Sequence, residues 1–161
     1  MRRGDLASMH APIALWDLPS VHHQRVRDRL SRALAAYLAP FDLDESVVTA
    51  PCLVAGRQLA MADVAVYPRG GLAHAWDDCA PPLFVAEIVS ADTAIDDRVI
   101  KRQFYLDQGV ATYWVIDPDG AQVDVWFPRD VAPRQVTGYL RWTAQSSWPP
   151  FEIHIGELTS R

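Results

Sequence analysis

Residues 83–89 read Leu-Phe-Val-Ala-Glu-Ile-Val, a nearly unbroken apolar run with a single acid, Glu87, inside it. A continuous apolar run this short, bounded by Pro81-Pro82 and a polar segment, fits a strand covered on both faces rather than a surface helix. Strand side chains alternate, so Glu87 shares a face with Val85 and Val89, while Ala86 and Ile88 point the other way. An ionised carboxylate taken from water without a partner costs several kcal/mol or more. Glu87 must therefore lie at the strand's wet end, be protonated, or face a cation.

The rest of the chain supplies layers for such a strand. Ser20 to Leu38 carries a helical stripe, Val26, Leu30, Leu34, Tyr37 and Leu38, with Ser20 placed to cap its start and Pro40 to close it. Ser46 to Val54 and Gln58 to Tyr67 read as strands joined at Gly56-Arg57, and 70–82 as a loop. A second helix is expected from Thr93 or Asp96 to Gln108, stopped by Gly109. Residues 112–127 then read as a hairpin around Asp117-Pro118-Asp119-Gly120, and Phe-Glu-Ile-His-Ile at 151–155 as a last short strand. Helix, strands, helix and hairpin in that order predict an α/β fold, a mixed sheet with helices packed on it. At 161 residues, half of them hydrophobic, one domain is expected over 20–161, after an irregular N-terminal segment at 1–19.

Several function classes are disfavoured. No apolar run approaches the ~18 residues that span a bilayer, and the start lacks the apolar block of a signal peptide. Two cysteines, Cys52 and Cys79, form no metal motif, so a cytoplasmic protein without membrane contact is expected. A net charge of −5 speaks against a general electrostatic nucleic-acid binder, though phosphate contacts need only a local basic patch. No Gly-rich phosphate loop or nucleophile elbow is present.

What remains is a set of three residues. Asp63 is a lone acid in the apolar stretch Ala-Met-Ala-Asp-Val-Ala-Val-Tyr, as Glu87 is in its own. If the two strands are neighbours, the acids converge, and paired carboxylates suit a hard divalent cation with room left for water and a phosphate. Lys101, the only lysine among 15 basic residues, lies on the following helix. An ammonium there could hold an attacking water or balance charge on a phosphorane, a task for which the broad guanidinium is poorer.

Each residue also has a plainer reading. Asp63 is compatible with a strand-end carboxylate accepting backbone hydrogen bonds, Glu87 with a partner of Arg98 or Arg102, and Lys101 with a surface pair to Asp97. Lys101 falls on the border of its helix's apolar stripe, which suits a reach along the sheet and suits solvent equally. Arg25, Arg29 and Arg32 share a helix face that either contacts phosphates or is simply solvated. His22 and His23 are adjacent, the wrong spacing for two ligands on one face, and receive no metal role.

The stretches Met-Ala-Asp-Val-Ala-Val-Tyr at 61–67, residues 81–120 and Val-Asp-Val-Trp-Phe at 123–127 resemble the Uma-type family, within the PD-(D/E)xK superfamily of restriction-endonuclease-like proteins. The first helix and Phe-Glu-Ile-His-Ile-Gly-Glu-Leu near the end match in character. The resemblance implies a restriction-endonuclease-like mixed β-sheet flanked by helices, and a metal-dependent endonuclease hydrolysing DNA. It implies a site of Asp63, Glu87 and Lys101, with Asp63, Glu87 and the Ile88 backbone carbonyl holding Mg²⁺, or Mn²⁺ as substitute. The motif's lysine normally follows the glutamate by two residues; that position is Val89, and the lysine has moved to the next helix as Lys101. The proline usual before the first acid is Ala62. The alternative is a catalytically silent nuclease-fold protein that binds nucleic acid or a protein partner. A homodimer would let a single-site nuclease cut both strands.

Overall fold

A computed structural model of the chain describes residues 19–72, 79–89 and 96–161, with side chains in the last stretch from residue 99 onward. Helix α1, Val21–Leu38, begins where expected: the Ser20 hydroxyl oxygen accepts the His23 amide at 3.0 Å. Its stripe Val26, Leu30, Leu34 and Leu38 is fully buried. Pro40 lies in a single 3₁₀ turn, Ala39–Phe41, that follows directly. Of the predicted arginine face, Arg29 does not stand free as a phosphate contact. Its guanidinium donates to the carbonyls of Leu158 and Ser160 and ties down the C-terminal end.

The two long strands expected at 46–67 form one bent hairpin. Strands β1 (Val47–Thr49), β2 (Cys52–Ala55), β3 (Gln58–Met61) and β4 (Val64–Val66) pair in a single antiparallel register from Val47↔Val66 to Ala55↔Gln58. The bend comes at Ala50, held at φ 52, and Pro51, where Ala50 N–H donates to the Asp63 carbonyl and Ala62 N–H to that of Pro51. The left-handed residue and the proline turn the arm, and its outer half leaves the main sheet. Asp63 therefore sits in the bend rather than inside a strand, which corrects the sequence reading. The turn at Gly56 has φ +60, as a two-residue hairpin connection demands.

Strand β5, Phe84–Ile88, is buried at every position. It pairs antiparallel with β4 and parallel with β6, Tyr113–Ile116. The intervening helix starts as a π turn, Asp96–Lys101, and continues as α2, Arg102–Asp107, before Gly109 at φ +83. Residues 70–72 and 79–82 are irregular as expected; the remainder of that predicted loop, and Ser90 to Ile95, fall outside the described residues. β6 makes the predicted hairpin with β7, Gln122–Trp126.

Two further strands escaped the sequence. β8, Arg134–Thr137, adds to β7, and β9, Tyr139–Trp142, pairs with β10, Phe151–His154, in a small separate sheet. β8 has no buried residue, so the hydrophobic alternation that marks a strand is missing. A short helix, α3, Ile155–Leu158, follows β10. The main sheet runs β1-β4-β5-β6-β7-β8, and only β5 and β6 are parallel. This is the mixed α/β architecture that the segment order predicted.

The sheet divides the core in two. On the α1 side, Val26, Leu30, Leu34 and Leu38 meet Phe84, Ala86, Ile88 and Trp114, extended by Trp142, Phe151 and Leu158. On the α2 side, Val85, Val89, Val115 and Tyr113 meet Tyr105 and Trp126. Trp114 and Trp126 are core residues, as expected from the hairpin. A buried Leu or Phe contributes about 1.5–3 kcal/mol each, so both layers stabilise the sheet that carries the two acids.

Candidate active site

Glu87 is 2 % exposed and yet an acid. Of the three options open to it, the structure takes the third. Lys101 Nζ lies 3.3 Å from Glu87 Oε1, and the Tyr105 hydroxyl donates to the same oxygen at 2.7 Å. Lys101 and Tyr105 stand one helical turn apart, the spacing that puts two side chains on one helix face. The π turn ends at Lys101, and such single-turn widenings recur at functional sites. An ammonium and a hydroxyl on one carboxylate oxygen offset a desolvation cost of several kcal/mol. Arg102, one of the predicted alternatives, instead stacks its guanidinium over Trp126 at 4.4 Å.

Asp63 is held differently. The last rung between β4 and β5 is Val64↔Ala86, so Asp63 stands one step beyond it, level with Glu87. There the bend carries the backbone away, and the Ile88 N–H, which would otherwise seek a β4 carbonyl, donates to Asp63 Oδ2 at 2.8 Å. The plain reading of Asp63 as an acceptor of backbone hydrogen bonds is thus correct as far as it goes. In a strand the N–H and C=O of one residue point to the same side. The Ile88 carbonyl therefore faces the gap that Asp63 occupies.

The expected residues converge. Asp63 touches the strand that bears Glu87, Lys101 touches Glu87, and Lys101 Nζ also donates to the Met61 carbonyl at 3.2 Å, two residues before Asp63. The lysine on the border of its helix stripe has turned inward along the sheet. Two members were missed from sequence. Tyr105 reads as an ordinary core aromatic, and only its spacing from Lys101 could have raised it. His23, given no role, has Nε2 at 3.2 Å from Asp63 Oδ2 and is 8 % exposed. The pairing of His22 with His23 hid it: His22 turns the other way, with Nε2 at 3.0 Å from the Pro118 carbonyl.

Open space lies on both sides. A cleft of about 720 Å³ is lined by His23, Val89, Arg25 and Arg161, and another of about 660 Å³ by Lys101, Met61, Leu59 and Ile100. Tyr67, on the Glu87 side of the sheet, is no base: burial first, then the Cys79 and Cys52 thiols, push its hydroxyl up to about 12.

A family model described as "Putative restriction endonuclease", Uma2, matches residues 17–156. The chain belongs to the Uma2 family. No curated protein matches it. Four solved chains do. One is described as a "putative nuclease belonging to DUF820 from Anabaena variabilis ATCC 29413"; it shares 16 % identity with this Uma2 protein over 89 % of this chain and 83 % of its own, at a TM-score of 0.71. At that identity the likeness establishes the fold, a restriction-endonuclease-like α/β sheet. Among the described residues of the Uma2 chain no helix is long and apolar enough to cross a membrane.

The donor set fits a divalent cation. Two carboxylates on strand positions level with each other and a carbonyl facing the gap are hard oxygen donors. Among the described residues no three His, Cys, Asp or Glu side chains are gathered into a cage. Mg²⁺ sites are commonly built that way, from one or two carboxylates completed by water and substrate phosphate.

Proposed function

We propose that this protein is a metal-dependent endonuclease hydrolysing DNA phosphodiester bonds at Asp63, Glu87 and Lys101. The observation that carries the reading is the meeting of a buried carboxylate with the chain's sole lysine, 3.3 Å apart, beside an aspartate locked to the next backbone amide. Asp63, Glu87 and the Ile88 carbonyl would hold Mg²⁺, or Mn²⁺ in its place. Such an ion, when bound, lowers the pKa of a water and stabilises charge on the scissile phosphate.

The residues of the chain do the rest. Lys101, protonated and partly exposed, holds the attacking water by a hydrogen bond. It balances negative charge as the water oxygen bonds to phosphorus and releases its proton to solvent, and as the ester P–O bond breaks with the leaving oxygen taking a proton from solvent. Tyr105 fixes the Glu87 carboxylate so that the lysine and the acid keep their geometry. Arg25, on the larger cleft, would meet a flanking phosphate, while Arg161 on the same cleft pairs with Asp119 at 2.9 Å. A second copy of the chain would serve the second strand of a duplex.

Purified protein with Mg²⁺ or Mn²⁺ nicks plasmid DNA under this reading, and Glu87→Ala and Lys101→Ala each abolish nicking while circular dichroism stays unchanged. Nicking by both variants at the wild-type rate rejects it. The second reading is a silent nuclease fold that binds nucleic acid or a protein partner, and the net charge of −5 favours its protein-binding form. Calorimetry separates the two: metal binding lost in Asp63→Ala supports the enzyme, and no binding at millimolar metal supports the binder.

A further inference from the structure

We propose that the His23 imidazole joins Asp63 as a donor to the ion held there, and that this nitrogen shifts the site's preference from Mg²⁺ toward divalent transition metals. The inference rests on the metal-site reading above and adds to it a residue and a metal class.

The ring is aimed at the acid. Nε2 lies 3.2 Å from Asp63 Oδ2, and this is the imidazole's one polar contact among the described residues, since Nδ1 is buried without a partner. Adjacent donors on an octahedral ion with bonds near 2.1 Å stand about 3 Å apart. The observed separation is thus one that two donors of a single ion adopt, as well as one that a hydrogen bond adopts. The ring is also rigidly placed. Its residue is fixed at the start of α1 by the Ser20 cap, and the helix is anchored by Val26 and Leu30 in the core. Asp63 is equally fixed, by the Ile88 amide. A nitrogen and a carboxylate oxygen, both preorganised and lining a cleft of about 720 Å³ in the case of His23, need little movement to share an ion.

The chemistry of the donor sets the preference. Mg²⁺ favours an all-oxygen shell, whereas imidazole is a good donor to first-row transition metals, among which Mn²⁺ is the weakest binder. An oxygen-only site would bind Mg²⁺ and Mn²⁺ with similar shells. A site with His23 discriminates between them.

The test uses the full chain loaded with Mn²⁺ and read by electron spin echo envelope modulation, which detects nitrogen bound to the ion without any turnover. The wild type is expected to show imidazole nitrogen modulation that changes on ¹⁵N-histidine labelling. His23→Gln is expected to lose it. In titrations, His23→Gln should weaken Mn²⁺ binding by roughly 10-fold or more while changing Mg²⁺ binding by less than about 3-fold. Mn²⁺ bound in an Asp63-dependent manner with no nitrogen modulation overturns the role of His23 and leaves the metal site standing. Equal weakening of both ions by His23→Gln, with modulation retained, overturns it too. Mn²⁺ binding unaffected by Asp63→Asn overturns the metal-site reading and this inference with it. The wild-type spectrum decides even if His23→Gln fails to fold.

Discussion

Strand β5 separates two unlike halves of the interior. On the α1 side, Phe84, Ala86 and Ile88 meet leucines, valines and tryptophans in an apolar cluster, with buried His23 at the start of α1. On the α2 side the same strand presents Glu87, and the helix opposite answers with Lys101 and Tyr105. Backbone geometry is shared, since alternate residues of one strand supply both faces. The difference shows that both halves bury apolar side chains, while the α2 side in addition maintains a charged group at a cost to stability. Apolar burial at ~25 cal/mol per Å² stabilises both halves. In the second, the Coulomb attraction of the buried pair does little more than offset its desolvation.

The sharpest way to break this contrast is Glu87→Gln. Nicking should fall about 10²–10³-fold, the scale of losing one preorganised electrostatic group. The melting temperature should stay level, because the amide carries no charge to desolvate and the partly exposed lysine can turn to water. Cleavage assays and calorimetry on one preparation read both, and a variant that melts early yet cuts normally reverses the assignment of the two faces. Leu30→Ala, on the opposite face, should do the reverse. A fully buried leucine lost to a cavity costs about 2–5 kcal/mol in chemical denaturation, with metal affinity of the folded protein unchanged.

Lys101→Met sharpens the comparison within the charged half. It strands a carboxylate that is 2 % exposed, so it should destabilise by up to about 3 kcal/mol, more than Glu87→Gln does, although both break the same ion pair. Equal urea midpoints for the two would mean that Glu87 is not ionised in the fold. Among the site variants, the smallest effect on nicking is expected of Tyr105→Phe. Losing a 2.7 Å hydrogen bond to a carboxylate should cost about 1.5–3 kcal/mol of stability and leave the lysine pair in place. Loss of nicking as complete as that of Glu87→Gln would make Tyr105 a direct participant.

The elements legible in advance were those with a strong period or a strong stop: α1 with its cap, β5 with its unbroken apolar run, the β6–β7 hairpin with its Asp-Pro-Asp-Gly turn. β8 was not legible, because a strand exposed at most positions has no face pattern; only the free edge of β7 makes it a strand. Ser46 to Val54 read as one strand through Pro51, so neither the break at Ala50–Pro51 nor the joint bending of both partner strands in one register was legible. At the site, Asp63 and Glu87 stood out as acids in apolar stretches, and Lys101 as the chain's sole lysine. Tyr105 and His23 did not, because a tyrosine on an apolar stripe and a histidine in a helix are ordinary until their polar atoms acquire partners.

By itself the sequence determined which residues could carry chemistry, because burying an acid is costly and an apolar run containing one advertises that cost wherever it occurs. It also determined the fold class, through periods of 2 and 3.6 that depend only on local backbone geometry. Which atoms meet was decided by the tertiary structure alone. The bend of one hairpin sets Asp63 level with Glu87, a helix beginning as a π turn brings Lys101 and Tyr105 to a single oxygen, and α1 reaches over the sheet's end with His23. Each of these contacts joins residues far apart in the chain, and local preferences carry no information about contacts of that range.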